Sequence, residues 1–147
     1  MRAQHVPCLI NQDRFNLIDQ GAGRMFDLNK EFGVGFISFS PLAQGLLTNR
    51  YLNGIPEGSR ATKGRFLKTD AITDELLGKI RQLNGIATQR GQTLAEMSLA
   101  WVLNHPAVTS VIIGSSSVAQ LQDNLDTLKN TKFSSIELKA IDRIVNS

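Results

Sequence analysis

Residues 111–124, VIIGSSSVAQLQDN, join an apolar run to a helix-like pattern through a loop of glycine and serine. Gly114 permits a sharp turn, and Ser115, Ser116 and Ser117 offer hydroxyl and backbone donors. A helix that begins at such a loop directs its partial positive end at the space above the preceding strand. The chemistry that this pattern favours is the binding of an anion such as a phosphate.

The same residues also have a purely structural interpretation. Ser117 with Gln120 forms a capping pair that would satisfy free backbone N–H groups of the helix. The spacing predicts one apolar face and one polar face, the polar face looking toward solvent and the loop. The two faces comprise Leu121, Leu125 and Leu128, and Gln120, Asp123 and Asn124. The loop matches neither a Walker A nor a GxGxxG pattern, so both interpretations stay open.

A second loop of similar design follows the apolar run at residues 34–40. The stretch ISFSPLAQGLLTNRYLNGIP, residues 37–56, passes from Phe39 through Ser40 and Pro41 into a turn of small residues. The segment around it is basic, with Arg50, Arg60, Lys63, Arg65 and Lys68 against only Glu57. This charge suits either a solvated loop or a contact with phosphate.

The side chains that could perform acid-base or covalent chemistry are few and scattered. We expect the single tyrosine, Tyr51, to be structural, because it lies inside the second loop and not at a strand end. His5 and His105 are far apart without clustered ligands, and Cys8 is expected to be a buried hydrophobe within a strand. No triad of nucleophile, base and orienting group can be assembled, so we predict neither catalytic nor metal-binding residues in this chain.

The elements that must position the loops follow from periodicity and capping patterns. Continuous apolar runs predict strands at residues 6–11, 34–40 and 109–113, typical of parallel strands covered on both faces. Helices are predicted over residues 24–32, 73–90 and 93–104, and after Ser117 and Ser134, the last with Glu137 as a capping box. The predicted stripes are Met25, Leu28 and Phe32; Leu76, Ile80, Leu83 and Ala87; and Leu138, Ile141 and Val145. This order predicts a parallel α/β architecture, with residues 48–71 as one long loop.

Composition bounds the class of protein. A chain of 147 residues with 41% hydrophobic residues predicts one domain over residues 1–147. A net charge of +3 without aromatic residues between the charges argues against nucleic-acid binding. A single cysteine and the lack of a signal-peptide pattern favour a reducing cytoplasm, and the apolar stretches are shorter than the roughly 18 residues of a membrane helix.

Several separated motifs closely resemble the aldo-keto reductases, in particular the branch of the potassium-channel beta subunits and the glyceraldehyde-3-phosphate reductases. They occur in the family's order over nearly the whole chain: NQ, FNL, SPLAQGLLT, YLNGIP, SR, TSVIIG and QLQDN. The resemblance implies the C-terminal portion of a (β/α)8 TIM barrel, with NADPH at the carboxyl ends of its strands.

The resemblance also implies a role for individual residues. Gln12 would bind the nicotinamide carboxamide, and Phe39 would lie against the nicotinamide ring, where relatives have Tyr or Trp. The pyrophosphate and its ribose would be lined by Ser40, Pro41, Leu42, Ala43 and Gln44, with Arg50 and Arg60 supplying charge. The adenosine end would be held by Gly114, Ser116, Gln120, Asp123 and Asn124. A 2′-phosphate is expected on this ribose.

In the family the proton donor and its partners are a Tyr, a Lys, an Asp and usually a His, all in the first half of the barrel, which this chain lacks. A barrel closes with eight strands, so three would leave free edges and an uncovered inner face. We therefore expect a truncated reductase, inactive alone, that self-associates or needs the missing N-terminal half. Two alternatives stay open: a non-catalytic module that senses NADPH, and an independent doubly wound domain.

Overall fold

The computed structural model describes residues 7–52 and 72–147, which form a three-stranded sheet with helices. Its strands are β1 (Ile10–Arg14), β2 (Gly35–Phe39) and β3 (Val108–Val111). The helices are α1 (Phe26–Phe32), α2 (Asp74–Gln89), α3 (Leu94–Asn104), α4 (Val118–Asp126) and α5 (Ser135–Val145). Within these residues no helix combines the length and apolarity needed to cross a bilayer.

The sheet is parallel and open, with strand order β1-β2-β3. Arg14 lies opposite Phe39, and Ile37 lies opposite both Gln12 and Ser110. An irregularity between Phe36 and Ile37 shifts the register toward β3. The predicted fold class is confirmed: the strands are parallel, helices connect them, and the described strands do not close into a barrel.

The core lies on one face of the sheet. Phe36 is fully buried, and the indole of Trp101 on α3 stacks on Phe15 with ring centroids 5.2 Å apart. Phe26 of α1 meets Phe36 edge-on at 4.9 Å, a contact that adds about 0.5–1.5 kcal/mol beyond area burial. Helix α3 is the centre of this core and is buried from Met97 to Val102, so Met97 and Trp101 face inward.

The opposite face of the sheet is uncovered within the described residues. Along β1, Ile10, Gln12 and Arg14 are exposed, while Asn11 and Asp13 are half-buried, so the strand alternates. The expectation of strands covered on both faces is therefore wrong for these residues. The expectation failed because an apolar run is compatible with burial on both faces but does not reveal which elements pack against each face.

Several boundaries and faces differ from the prediction. The first strand begins at Ile10, where its pairing with Gly35 of β2 starts. It therefore extends to Arg14 and includes the polar residues Gln12 and Arg14, which are exposed. Cys8 is consequently exposed and precedes the strand. In α1 the buried residues are Phe26 and Asn29, whereas Leu28 and Phe32 of the predicted stripe are exposed. The first residue of the predicted strand 6–11 and most of the predicted loop 48–71, namely residues 53–71, lie outside the described residues.

The longer helices begin where their capping residues predict. The side chains of Thr73, Thr93 and Ser134 each accept a backbone N–H three residues on, and Thr93 and Ser134 form complete capping boxes with Glu96 and Glu137. The predicted α2 stripe is confirmed except that Leu77 is buried and Leu76 only partly so. In α5 Ile141 is buried and Leu138 and Val145 pack against the core.

Candidate functional site

The two loops predicted from the sequence meet at the carboxyl ends of β2 and β3. Between them lies a cavity of about 540 Å³. The loop after β2 contributes Ser40, Pro41, Leu42, Gln44, Gly45, Thr48 and Arg50. The segment after β3 contributes Ile112, Ile113, Gly114, Ser115, Ser116 and Gln120. The structure thus brings together, around one cavity, residues separated by more than sixty positions in the chain.

The loop after β2 has an unusual backbone. Ser40, Ala43 and Gln44 have φ values of 51°, 47° and 59°, and Gly45 follows with a φ of 100°. Non-glycine residues in this left-handed region are uncommon, and such strain gathers where a loop binds a ligand. The loop is therefore held in a shape that its sequence alone does not favour.

A buried asparagine fixes this loop. Asn16 is fully buried, and its Nδ2 donates to the carbonyl oxygen of Ser40 at 3.0 Å. Its Oδ1 accepts the backbone N–H groups of Ile18 and Asp19, so one side chain joins the turn after β1 to the start of the cavity wall. Beside it the Ser38 hydroxyl donates to the Phe15 carbonyl at 2.6 Å.

The far end of the same loop is closed by a short 3-10 helical turn, Asn49–Tyr51. The Thr48 hydroxyl donates to the Gly45 carbonyl at 2.7 Å and accepts the N–H of Arg50, which sets Arg50 at the exposed rim. Tyr51 is 1% exposed and packs in the hydrophobic core, as a structural residue would. Within the described residues its hydroxyl has no hydrogen-bond partner.

The Gly-Ser loop after β3 is organised around α4. Ser117 caps the helix by accepting the N–H of Gln120. The Oε1 of Gln120 accepts both the N–H and the hydroxyl of Ser116, at 2.8 and 3.0 Å. Asn124, which is buried, donates to the Ser115 hydroxyl at 3.2 Å. The capping interpretation is confirmed for Ser117, while Ser115 and Ser116 remain exposed at the cavity.

Helix α4 is turned differently from the prediction. Leu121, Leu125 and Leu128, expected as the inward apolar face, are 43%, 47% and 65% exposed, and Asn124 faces inward instead. The described residues cover the leucines only in part, whereas Asn124 is buried and binds the Ser115 hydroxyl. Gly114 was predicted to permit a sharp turn, but its φ is not positive and a Cβ there would meet nothing within 4 Å. The turn therefore does not require a glycine at this position.

The other residues predicted to bind the cofactor lie beside the cavity, except Arg60, which is outside the described residues. Gln12 and Phe39 are on the open face of the sheet, where the guanidinium of Arg14 sits 5.8 Å from the Phe39 ring centroid. Ala43 belongs to the strained turn, and Asp123 is exposed on α4. Asn16 and Thr48 were not among the predicted site residues, although Asn16 is part of the FNL motif.

The described residues contain no group of three or more His, Cys, Asp and Glu side chains that could hold a metal ion. The donors around the cavity are hydroxyl groups, backbone N–H groups and the guanidinium of Arg50, with the N-terminus of α4 behind them. This donor set fits an extended polar ligand with anionic groups.

Comparison with known proteins gives a consistent result. The family model described as the aldo/keto reductase family matches residues 1–146. The chain is 44% identical to an L-glyceraldehyde 3-phosphate reductase of Escherichia coli K12, over 97% of this chain and 43% of that protein. It is 35% identical to a putative voltage-gated potassium channel subunit beta of Schizosaccharomyces pombe, over 92% of this chain and 42% of that protein.

Among solved structures, the aldo-keto reductase AKR11C1 from Bacillus halodurans, in a holo form, superposes with a TM-score of 0.69 at 25% identity. The match covers 92% of this chain and 42% of that one. The chain thus spans less than half the length of the relatives that it matches. Its sequence and its fold agree in one assignment: the chain belongs to the aldo/keto reductase family.

Proposed function

We propose that this chain forms the NADPH-binding side of an aldo-keto reductase that reduces aldehydes or ketones to alcohols. The observation that carries the proposal is the cavity of about 540 Å³ between the loops after β2 and β3. It lies at the carboxyl ends of parallel strands, where ligands of α/β proteins bind. Cytoplasmic location and a preference for NADPH over NADH belong to this proposal.

Each part of the cofactor has a proposed set of partners. The amide of Gln12 and the ring of Phe39 hold the nicotinamide on the open face of the sheet. The residues of the strained loop and its basic flank, Ser40, Pro41, Leu42, Ala43, Gln44, Arg50 and Arg60, hold the pyrophosphate, its ribose and the phosphates. The residues around the N-terminus of α4, Gly114, Ser116, Gln120, Asp123 and Asn124, hold the adenosine end.

The local geometry supports these assignments. Left-handed backbone at Ser40, Ala43 and Gln44 bends the loop around the cavity, as a loop does when its backbone groups line a ligand site. Gly114 leaves open space where a side chain would project. Gln120 at present accepts two hydrogen bonds from Ser116, and a ligand can take these donors in its place.

The bound nicotinamide would supply a hydride to the carbonyl carbon. The residues of this chain would orient the ring and exclude water, with Phe39 on one face and Gln12 at its edge. Carbonyl reduction also needs a proton donor at the oxygen. The single tyrosine is 1% exposed, so we propose that it does not donate and that the chain alone lacks turnover.

A complementary polypeptide carrying the family's Tyr, Lys, Asp and His would then complete the site. We propose that such an N-terminal half, or a second copy of the chain, covers the open face and the free strand edges. Mixing the chain with a matching N-terminal half should create NADPH-dependent reduction of glyceraldehyde 3-phosphate. Turnover by the chain alone would refute the proposed lack of a proton donor.

A second candidate is a non-catalytic module that senses NADPH. It is favoured by the similarity to a protein named as a potassium channel subunit beta. Both candidates require the same cavity, and they differ in whether the complemented protein consumes substrate. Tight NADPH binding without any turnover in the mixture would select the sensing module.

The test of cofactor binding is a fluorescence titration of the chain with NADPH and with NADH. We expect saturable binding that favours NADPH and that weakens about tenfold in Arg50→Gln, which loses a charge-assisted hydrogen bond. Arg143→Gln, which removes an exposed arginine from α5, is the matched control and should bind NADPH as the wild type does. The absence of binding at millimolar NADPH would refute both candidates.

A further inference from the structure

The open face of the sheet carries one cation among its described residues, Arg14. It is the last residue of β1, and its register partner is Phe39, the last residue of β2. Side chains at alternate positions of a strand share a face, so Arg14 lies on the same face as Gln12. Arg14 therefore stands at the strand ends beside the two residues proposed to hold the nicotinamide.

Two contacts fix the position of this guanidinium. Its carbon lies 5.8 Å from the centroid of the Phe39 ring, within the range of a cation-π interaction. One nitrogen lies 3.5 Å from a carboxylate oxygen of Asp19. Asp19 is itself held by paired backbone hydrogen bonds with Asn16 in the turn after β1.

The ion pair with Asp19 contributes little to stability. The side chains of Arg14 and Asp19 are 48% and 44% exposed, and pairs so exposed are weak in water. The nitrogen-oxygen distance is also long for a charge-assisted hydrogen bond. A ligand anion with better geometry can therefore displace Asp19, while the Phe39 ring keeps the guanidinium in place.

We propose that Arg14 is a specificity residue that recognises an acidic group, such as a phosphate monoester, on the aldehyde substrate. The inference rests on the proposed function, because it places the carbonyl near Phe39 and Gln12. The planar guanidinium offers two parallel N–H donors to a phosphate or carboxylate, which a lysine does not. Asp19 holds Arg14 ready and competes with the anion for it.

The experiment follows backbone amide shifts of the chain during titration with glycerol 3-phosphate, with glycerol as the uncharged comparison. Saturating NADPH occupies the cavity near Arg50, so that the probe reports on the face around Arg14. We expect shifts at Gln12, Arg14 and Phe39 for glycerol 3-phosphate only. Arg14→Gln should weaken the binding of glycerol 3-phosphate about tenfold, and the affinity of Arg14→Lys should lie between those of Arg14→Gln and the wild type. Asp19→Asn should bind it more tightly than the wild type.

Lys139→Gln, an exposed cation on α5, is the matched control and should leave the affinity unchanged. Equal affinity of the wild type and Arg14→Gln, or weaker binding in Asp19→Asn, would overturn the inference. The same titration is repeated without NADPH. If NADPH fails to bind, the proposed function fails, whereas the dependence on Arg14 in the second titration still decides the role of this residue.

Discussion

At the scale of single residues, the cavity depends on backbone conformations that side chains elsewhere impose. The left-handed conformations of Ser40, Ala43 and Gln44 could not be predicted, because none of these residues is a glycine that favours such geometry. The sequence did predict a loop rich in small residues after a buried strand. Asn16 ties the start of this loop to the turn after β1, and backbone hydrogen bonds within residues 40–47 hold the rest of the turn.

Replacing Asn16 by alanine should therefore damage both stability and the site. The change removes the side-chain donor to the Ser40 carbonyl and the side-chain acceptor of the Ile18 and Asp19 N–H groups. The Ala43 N–H still binds the Ser40 carbonyl and the Asp19 N–H still binds the backbone carbonyl of residue 16, so the Ile18 N–H loses most, at a cost of about 1–3 kcal/mol where buried. We expect a loss of about 2 kcal/mol in the free energy of urea unfolding. Asn104→Ala, at the exposed end of α3, should change it by less than about 0.5 kcal/mol. Equal losses in the two variants would contradict this role.

His105 makes the stability depend on pH. Partial burial lowers the pKa of its imidazole, which lies against Phe15 and Phe26 at centroid distances of 5.5 and 4.6 Å. Below the ordinary value of 6.5 the unfolded chain then binds a proton that the folded chain does not. The free energy of unfolding should fall modestly as the pH drops from 6.5 toward the lowered pKa, and stay level above 6.5.

Urea unfolding of the wild type and of His105→Gln at pH 7.5 and 5.5 checks this prediction. The variant should lose less stability between the two pH values, because glutamine cannot take up the proton. An identical loss in both proteins would assign the pH dependence to other groups.

At the scale of elements, local signals were the reliable ones. The capping boxes at Thr93 and Ser134 fix helix starts through contacts within four residues, so the sequence contains all the information needed. The faces of α1 and α4 were predicted wrongly, because which face is buried depends on the surface that the rest of the fold presents. The start of β1 was missed for the same reason, since pairing with β2 defines it.

One element junction relies on a buried cation. The guanidinium of Arg90, 5% exposed, donates to Glu137 at 2.6 Å and to the Lys132 carbonyl at 3.0 Å, and lies 3.8 Å from the ring centroid of Phe133. The Ser134 backbone N–H is the main cause that lowers the pKa of Glu137, and Arg90 adds to it. This cluster joins the end of α2 to the start of α5.

Arg90→Gln should therefore cost about 2 kcal/mol in urea unfolding, because Oε1 of Glu137 and the Lys132 carbonyl lose their guanidinium donor, while the Ser134 N–H still binds Oε2 of Glu137. The matched change Arg143→Gln removes an exposed arginine from α5 and should stay within about 0.5 kcal/mol. A small effect of Arg90→Gln would mean that packing alone holds α5 in place.

At the scale of the whole molecule, the described residues leave large apolar side chains uncovered. Beside the free edge of β1, Leu9 is 72%, Ile10 57% and Leu28 45% exposed, and they line an open apolar groove of about 670 Å³. Exposed patches of this kind promote association. The parallel sheet was predictable from the alternation of strands and helices, whereas its incompleteness was implied only by the resemblance to the aldo-keto reductases.

The isolated chain should accordingly self-associate as its concentration rises. Leu28→Gln should shift sedimentation toward monomer. The free energy of unfolding should stay within about 0.5 kcal/mol of the wild type, because the exposed Leu28 side chain contributes little to the stability of the monomer. Leu83→Gln, at a fully buried position, should unfold the chain instead. A wild-type chain that stays monomeric at every concentration would contradict the prediction.

Cofactor binding in the cavity is tested most directly by a map of backbone amide signals of the chain with and without NADPH. We expect shifts concentrated in residues 40–50 and 114–120, which line the cavity, and at Gln12 and Phe39, with Asn16→Ala weakening the shifts in both loops together. Saturation with NADPH that leaves both loops unchanged, or shifts confined to α2 and α5, would contradict this expectation.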